Sequence, residues 1–150
     1  MLRDRFMSDL KEAMKAGDKP RLGTIRLMQA ALKDKDIEAR GAGKGPLSDD
    51  EILQLLQKMV KQRQESAKMY ADGGRPELAE QEAAEIAVIT AYLPKQMDEA
   101  EAKAAIAAVI ADTGAAGVKD MGKVMGELKT RYAGQMDFGK ASPLVKQLLG

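Results

Sequence analysis

Along most of this chain apolar residues recur at intervals of three and four, the spacing that gathers them on one face of a helix. Seven helical segments follow. In the first, over 2–16, Leu2, Phe6, Leu10, Ala13 and Met14 share a face, and Gly17-Asp18-Lys19-Pro20 ends it. Asp18 can cap the second, over about 20–39, whose inward stripe is Leu22, Ile25, Met28 and Leu32. Leu27, Ala30 and Ala31 widen that stripe, as expected of a helix touched on two sides. After the connection at 40–46, Ser48-Asp49-Asp50-Glu51 forms a capping box for a long third helix to about residue 71. Ile52, Leu55, Leu56, Met59, Val60 and Ala67 face inward along it, and Gly73-Gly74 stops it. Pro76 suits the first turn of the fourth, which continues through Leu78, Glu82, Ile86, Ile89 and Leu93.

Pro94 marks a boundary, because a proline pushes the residue before it out of the helical region. Beyond it Asp98-Glu99-Ala100-Glu101 is a second capping box, and Ala102, Ile106, Val109 and Ile110 line the fifth helix. Gly114 and Gly117 break it, Asp120 can cap a sixth helix reaching Tyr132, and Asp137 or Ser142 begins a seventh. In the seventh, Pro143 is tolerable in the first turn, with Leu144, Val145, Leu148 and Leu149 apolar. The expected fold is all-α. Residues 1–93 form a four-helix bundle and 95–150 a small three-helix domain, which is small enough to need support.

Composition narrows the chemistry. Aromatics are 3% of the chain, so Leu, Ile, Val, Ala and ten Met must build the core. Most of the methionines sit at core spacing, which favours packing over a promiscuous binding surface. With no Cys and no His, thiol catalysis, disulfides, Cys/His metal sites and the commonest general base are excluded. No stretch is apolar enough to span a membrane and no signal peptide opens the chain, so no membrane partner and a cytoplasmic location are expected. Gly41-Ala42-Gly43-Lys44-Gly45-Pro46 follows a helix and lacks the phosphate-loop spacing, so it reads as a connection. Glu82 and Glu85 share a face and call for a cation, for which Arg21, Arg26 and Arg63 are candidates. Tyr70 and Tyr92 lie near helix ends, where an amphipathic ring is ordinary. No catalytic residue, metal site or cofactor is expected.

The sixth helix is the informative one. At about 100° per residue, Met121, Val124, Met125, Leu128 and Tyr132 fall on one side. Lys119, Gly122, Lys123, Gly126 and Lys129 fall on the other. A glycine inside a helix costs about 1 kcal/mol relative to alanine. Here the glycines stand among lysines on the side predicted to face water, where a phosphate backbone could approach closely. From Lys119 onward six basic residues, which include Arg131, Lys140 and Lys146, outnumber three acidic ones, although net charge over the chain is only +1. The candidate nucleic-acid-binding set is therefore Lys119, Gly122, Lys123, Gly126, Lys129, Arg131 and Lys140. The alternative is a helical adaptor that binds protein and not RNA.

Several spaced segments resemble the GatB/YqeY family. They are Arg26-Leu27-Met28-Gln29-Ala30-Ala31-Leu32-Lys33, Gly74-Arg75-Pro76-Glu77-Leu78-Ala79, Glu82-Ala83-Ala84-Glu85-Ile86 and Ala91-Tyr92-Leu93-Pro94-Lys95-Gln96. Lys119-Asp120-Met121-Gly122-Lys123-Val124-Met125-Gly126 and Val145-Lys146-Gln147-Leu148-Leu149 complete the series. The resemblance implies a free-standing YqeY-like protein, related to the tail of the B subunit of the tRNA-dependent amidotransferase. That tail contacts tRNA, which implies tRNA as partner, alongside amidotransferase or aminoacyl-tRNA synthetase machinery. The family label of a glutamine-dependent carbon–nitrogen ligase belongs to the multisubunit enzyme, since this chain resembles only its tail. Pro143 within the last helix departs from the family pattern.

Overall fold

The computed structural model describes residues 1–150, and every regular element in it is helical. The order is α1 (Leu2–Ala16), α2 (Lys19–Gly41), α3 (Asp49–Asp72), α4 (Pro76–Thr90), α5 (Glu99–Thr113), a 3₁₀ turn (Val118–Asp120), α6 (Met121–Arg131) and α7 (Phe138–Leu149). Two compact units divide the chain, Met1–Leu93 and Pro94–Gly150.

Local chemistry sets most helix ends. Asp18 accepts from the Arg21 amide at the start of α2, and Ser48/Glu51 and Asp98/Glu101 close full capping boxes on α3 and α5. Gly17 and Gly114, both left-handed, terminate α1 and α5. Three ends differ from expectation. α4 stops at Thr90, with Tyr92 and Leu93 wound into a turn before Pro94. Asp120 does not cap α6; its carboxylate accepts from the Ala116 amide at 2.9 Å, because residues 118–120 already wind as a 3₁₀ turn. α7 begins after Asp137, which caps it, so Pro143 lies in the second turn rather than the first. The helix accepts it there without the hydrogen bond a proline cannot donate.

In the first unit Leu2, Phe6, Met28, Leu32, Ile52, Leu56, Met59, Ile89 and Tyr92 form one core fed by all four helices. Tyr92 is its polar hinge point. Its ring meets Phe6 edge-on at 5.0 Å, and the Arg5 guanidinium lies 4.8 Å from its centroid. Its hydroxyl donates to Asp9. Burial, with Asp9 as the lesser cause, pushes the phenol up to about 12. A second tie joins distant segments. Arg3 grips both oxygens of Asp36 at 2.7 and 2.8 Å and the Leu47 carbonyl at 3.0 Å, while the Leu47 amide donates to Asp36 at 3.0 Å. Arg3, with the Leu47 amide second, lowers the Asp36 carboxyl to about 2.

Of the three candidate cations only Arg63 meets an α4 carboxylate, its Nε donating to Glu85 at 3.0 Å with both side chains largely covered, while Arg21 pairs with Asp9 and Glu12. Met28, Met59 and Met136 are buried and Met97, Met121 and Met125 pack against the cores, whereas Met1, Met7, Met14 and Met69 are exposed. Met14, expected inward, is 54% exposed, and Leu27 and Ala30 likewise face out. α2 is touched by α1, α3 and α4, as expected of a helix contacted on more than one side, while Leu27 and Ala30 stay exposed.

In the second unit Ala102, Ala105, Ile106, Val109, Val124, Leu128, Met136, Ala141 and Val145 form the core, with α5, α6 and α7 in mutual contact.

Candidate nucleic-acid interface

Two polar ties fix α6 against α5, and a third bond folds the connection between them. Lys123 Nζ donates to the Thr113 carbonyl at 3.1 Å, at the negative end of α5. Arg131 bonds Asp112 on α5 and Glu127 on its own helix, each at 2.8 Å. The Asp120 carboxylate holds the Ala116 amide, folding the α5–α6 connection back on itself. Below them, Val124 and Leu128 are fully buried and Met121, Met125 and Tyr132 pack partly. One side of α6 is therefore committed to the core. The opposite side is exposed, with Lys123 on it also holding the Thr113 carbonyl.

That outward side carries Lys119, Gly122, Lys123, Gly126 and Lys129, all exposed. A Cβ added at Gly122 or at Gly126 would have no atom within 4 Å. Neither glycine therefore serves packing inside this chain, and the helix bears their destabilisation of about 1 kcal/mol each without an internal return. Both leave the helix backbone bare between lysines. Thr130, not singled out from the sequence, stands on the same side, its hydroxyl donating to the Gly126 carbonyl at 3.0 Å. Its position four residues after Gly126 and seven after Lys123 was the available signal.

Two residues of the sequence-derived set do not join this face. The guanidinium of Arg131 is occupied by Asp112 and Glu127, which raise its pKa further. Lys140 lies in the first turn of α7 and lines a groove with Gln96, Asp98, Glu99 and Leu144, between the starts of α5 and α7. A count of charges along the chain reports neither commitment.

Elsewhere the structure gathers no set of three carboxylates suited to a metal ion. The glycine connection is exposed from Gly41 to Pro46, and no helix is long and apolar enough to cross a membrane.

Comparison with known proteins agrees with the series of motifs. The family model described as Yqey-like protein matches residues 3–149. Curated relatives carry the name "Altered inheritance of mitochondria protein 41, mitochondrial". The one from Pyrenophora tritici-repentis is 34% identical over 59% of this chain and 46% of its own length. The one from Eremothecium gossypii is 36% identical over 57% of this chain and 45% of its own. The one from Clavispora lusitaniae is 36% identical over 61% and 52% respectively. The match thus spans about half the length of these relatives. The chain belongs to the YqeY-like family.

Proposed function

We propose that this YqeY-like protein is a non-catalytic accessory module that binds tRNA by shape and phosphate backbone through the outward face of α6. It would serve tRNA-dependent amidotransferase or aminoacyl-tRNA synthetase machinery, with the cytoplasm as its working compartment. The observation that carries the reading is the pair Gly122 and Gly126, set in open space among exposed lysines. A phosphate can come close to a helix only where side chains do not hold it off, and Lys119, Lys123 and Lys129 supply the counter-charge. Scarce aromatics argue against stacking on single-stranded bases and favour recognition of a folded RNA by its backbone. The ligase activity attached to the wider family stays with the multisubunit enzyme in this reading.

The test is binding of purified protein to bulk tRNA at about 50 and about 200 mM salt. Three lysine–phosphate contacts predict a loss of roughly 20–40-fold between the two conditions. Lys119→Glu/Lys123→Glu/Lys129→Glu should weaken binding by about two orders of magnitude at the lower salt. Absence of binding by the wild type at the lower salt, or binding untouched by the triple variant, refutes the proposal.

A further inference from the structure

α2 has a second uncovered face, on a different helix and of different chemistry. Its buried residues, Thr24, Ile25, Met28 and Leu32, define the inward side. Opposite them, at alternating intervals of four and three, stand Gly23, Leu27, Ala30, Asp34, Ile37 and Gly41. This is the spacing of a coiled-coil seam, and it extends for roughly 27 Å along the helix at 1.5 Å per residue. Leu27 is 46% and Ile37 54% exposed. Gly23 and Ala30 are exposed too, and a Cβ at Gly23 would meet nothing within 4 Å. Only one residue of the six is charged, on the side of a surface helix where charge is the rule.

One edge of the seam is basic. Arg26, Lys33 and Arg40 recur every seven residues along it, all exposed. Arg26 and Lys33 enter no ion pair within the chain, while Arg40 lies near enough to Asp36 to lower its pKa. In a coiled coil such flanking positions choose the partner by charge.

We infer that the outward face of α2 docks an amphipathic helix of another protein, one whose facing edge is acidic. Gly23 and Ala30 let the two axes approach closely, Leu27 and Ile37 enter the partner's apolar stripe, and the basic edge selects carboxylates. A second copy of this chain is a poor occupant in either direction. In parallel register Asp34 meets its own copy at the centre of the seam, and in antiparallel register the basic edge faces itself. RNA is disfavoured by Asp34 on the centre line and by the two exposed aliphatic side chains beside it.

The probe is a synthetic 21-residue helical peptide with Leu and Ala along its seam and Glu on both edges, with a twin carrying Lys on those edges. Fluorescence anisotropy with the full chain should show the Glu peptide bound about tenfold more tightly than the Lys peptide, a margin of about 1.4 kcal/mol. Arg26→Glu/Lys33→Glu should invert that preference. Leu27→Glu/Ile37→Glu should remove binding of both while the circular dichroism spectrum stays helical, since both side chains are exposed in the native fold. Equal affinity for the two peptides, no affinity for either, or binding that survives Leu27→Glu/Ile37→Glu overturns the inference. A wild-type dimer split by Leu27→Glu/Ile37→Glu overturns it in favour of self-association. Loss of tRNA affinity in Arg26→Glu/Lys33→Glu, without charge-selective peptide binding, overturns it in favour of nucleic acid. Because the proposed tRNA site lies on α6, failure of either reading leaves the other measurable.

Discussion

Both α2 and α6 turn a glycine-bearing face to solvent, with open space where a Cβ would stand at Gly23, Gly122 and Gly126. Around Gly23 the neighbours on the face are Leu27, Ala30 and Ile37, with basic residues kept to one edge. Around Gly122 and Gly126 they are Lys119, Lys123 and Lys129, with Val124 and Leu128 buried and Met121 and Met125 packed against the core. A bare glycine in a helix leaves room for a close approach and by itself names no ligand. The side chains beside it point to one: apolar area calls for another apolar surface, and lysines for a polyanion. The two faces should therefore differ in salt dependence, in tolerance of a methyl group, and in which part of the fold supports them.

The largest separation comes from charge reversal on α6. Lys119→Glu/Lys123→Glu/Lys129→Glu should lower tRNA affinity by about two orders of magnitude, since three attractive contacts become repulsive. The affinity of α2 for a Glu-edged peptide should not change. Parallel titrations of both ligands on one protein sample check this. If the α6 variant weakened both ligands together, the two faces would be one site.

Next in size is the support under α2. The C-terminal half of its seam, Asp34, Ile37 and Gly41, lies beyond the last buried residue of that helix, Leu32. The Arg3–Asp36 clasp and its bonds to Leu47 hold that half in place. Arg3→Ala should cost about 1–2 kcal/mol, the range for charge-assisted hydrogen bonds reduced for partial exposure, and should weaken peptide binding on α2. The same tie has a pH signature. Asp36 is held at about 2 in the fold, below its ordinary value, so its contribution is complete above pH ~4 and lost as pH falls toward 2. Tyr92, held at about 12, works in the opposite direction: its contribution is complete below pH ~10 and lost as pH rises toward 12. Thermal melts of the wild type should show both edges. Arg3→Ala should flatten the acid one, and an acid edge unchanged in that variant would remove the clasp from the account.

Which of these features the sequence could reveal follows from their range. The capping boxes at Ser48/Glu51 and Asp98/Glu101 are spelled out within four residues, and the structure contains both. The inward and outward sides of α6 follow from period alone. The Arg3–Asp36–Leu47 tie joins residues 33 and 44 positions apart and leaves no local trace. Tyr92 looked ordinary at a helix end because its partners Phe6 and Asp9 lie at the other end of the unit's sequence. Leu27 and Ala30 are expected to widen the inward stripe of α2, and both face out instead. α2 is touched by α1, α3 and α4, and period alone does not say which of its apolar residues those contacts cover. Arg131 and Lys140 stand apart from the α6 face for reasons a run of basic residues does not carry: the first is ion-paired and the second lies on α7.

The glycines give an effect of intermediate size and opposite sign in two assays. Gly122→Ala/Gly126→Ala should raise stability by about 1–2 kcal/mol, the propensity gain at two open helix positions. It should at the same time weaken tRNA binding about tenfold, because two methyl groups displace a phosphate from the backbone. Gly23→Ala should stabilise by up to about 1 kcal/mol and leave peptide binding nearly unaltered, since a helix seam that already accommodates Ala30 accepts another alanine. Melting temperature and affinity measured on the same variants decide it. Gain of stability with no loss of tRNA binding would mean that the α6 glycines keep no space for a ligand.

The smallest expected effect discriminates between charge that is counted and charge that is free. Arg131→Gln should change tRNA affinity by less than about twofold at ~0.15 M salt, where charges more than about 8 Å from the ligand are screened. Lys129→Gln, two residues earlier on the same helix, should cost more although it removes the same formal charge. The difference lies in what each side chain already holds. The charge of the Arg131 guanidinium is already matched by Asp112 and Glu127 through two 2.8 Å charge-assisted bonds, and those carboxylates repel an approaching phosphate. Lys129 is exposed on the outward side, beside the bare backbone at Gly126. Equal losses in the two variants would mean that α6 attracts RNA by net potential alone, and the glycines between its lysines would then have no part in recognition.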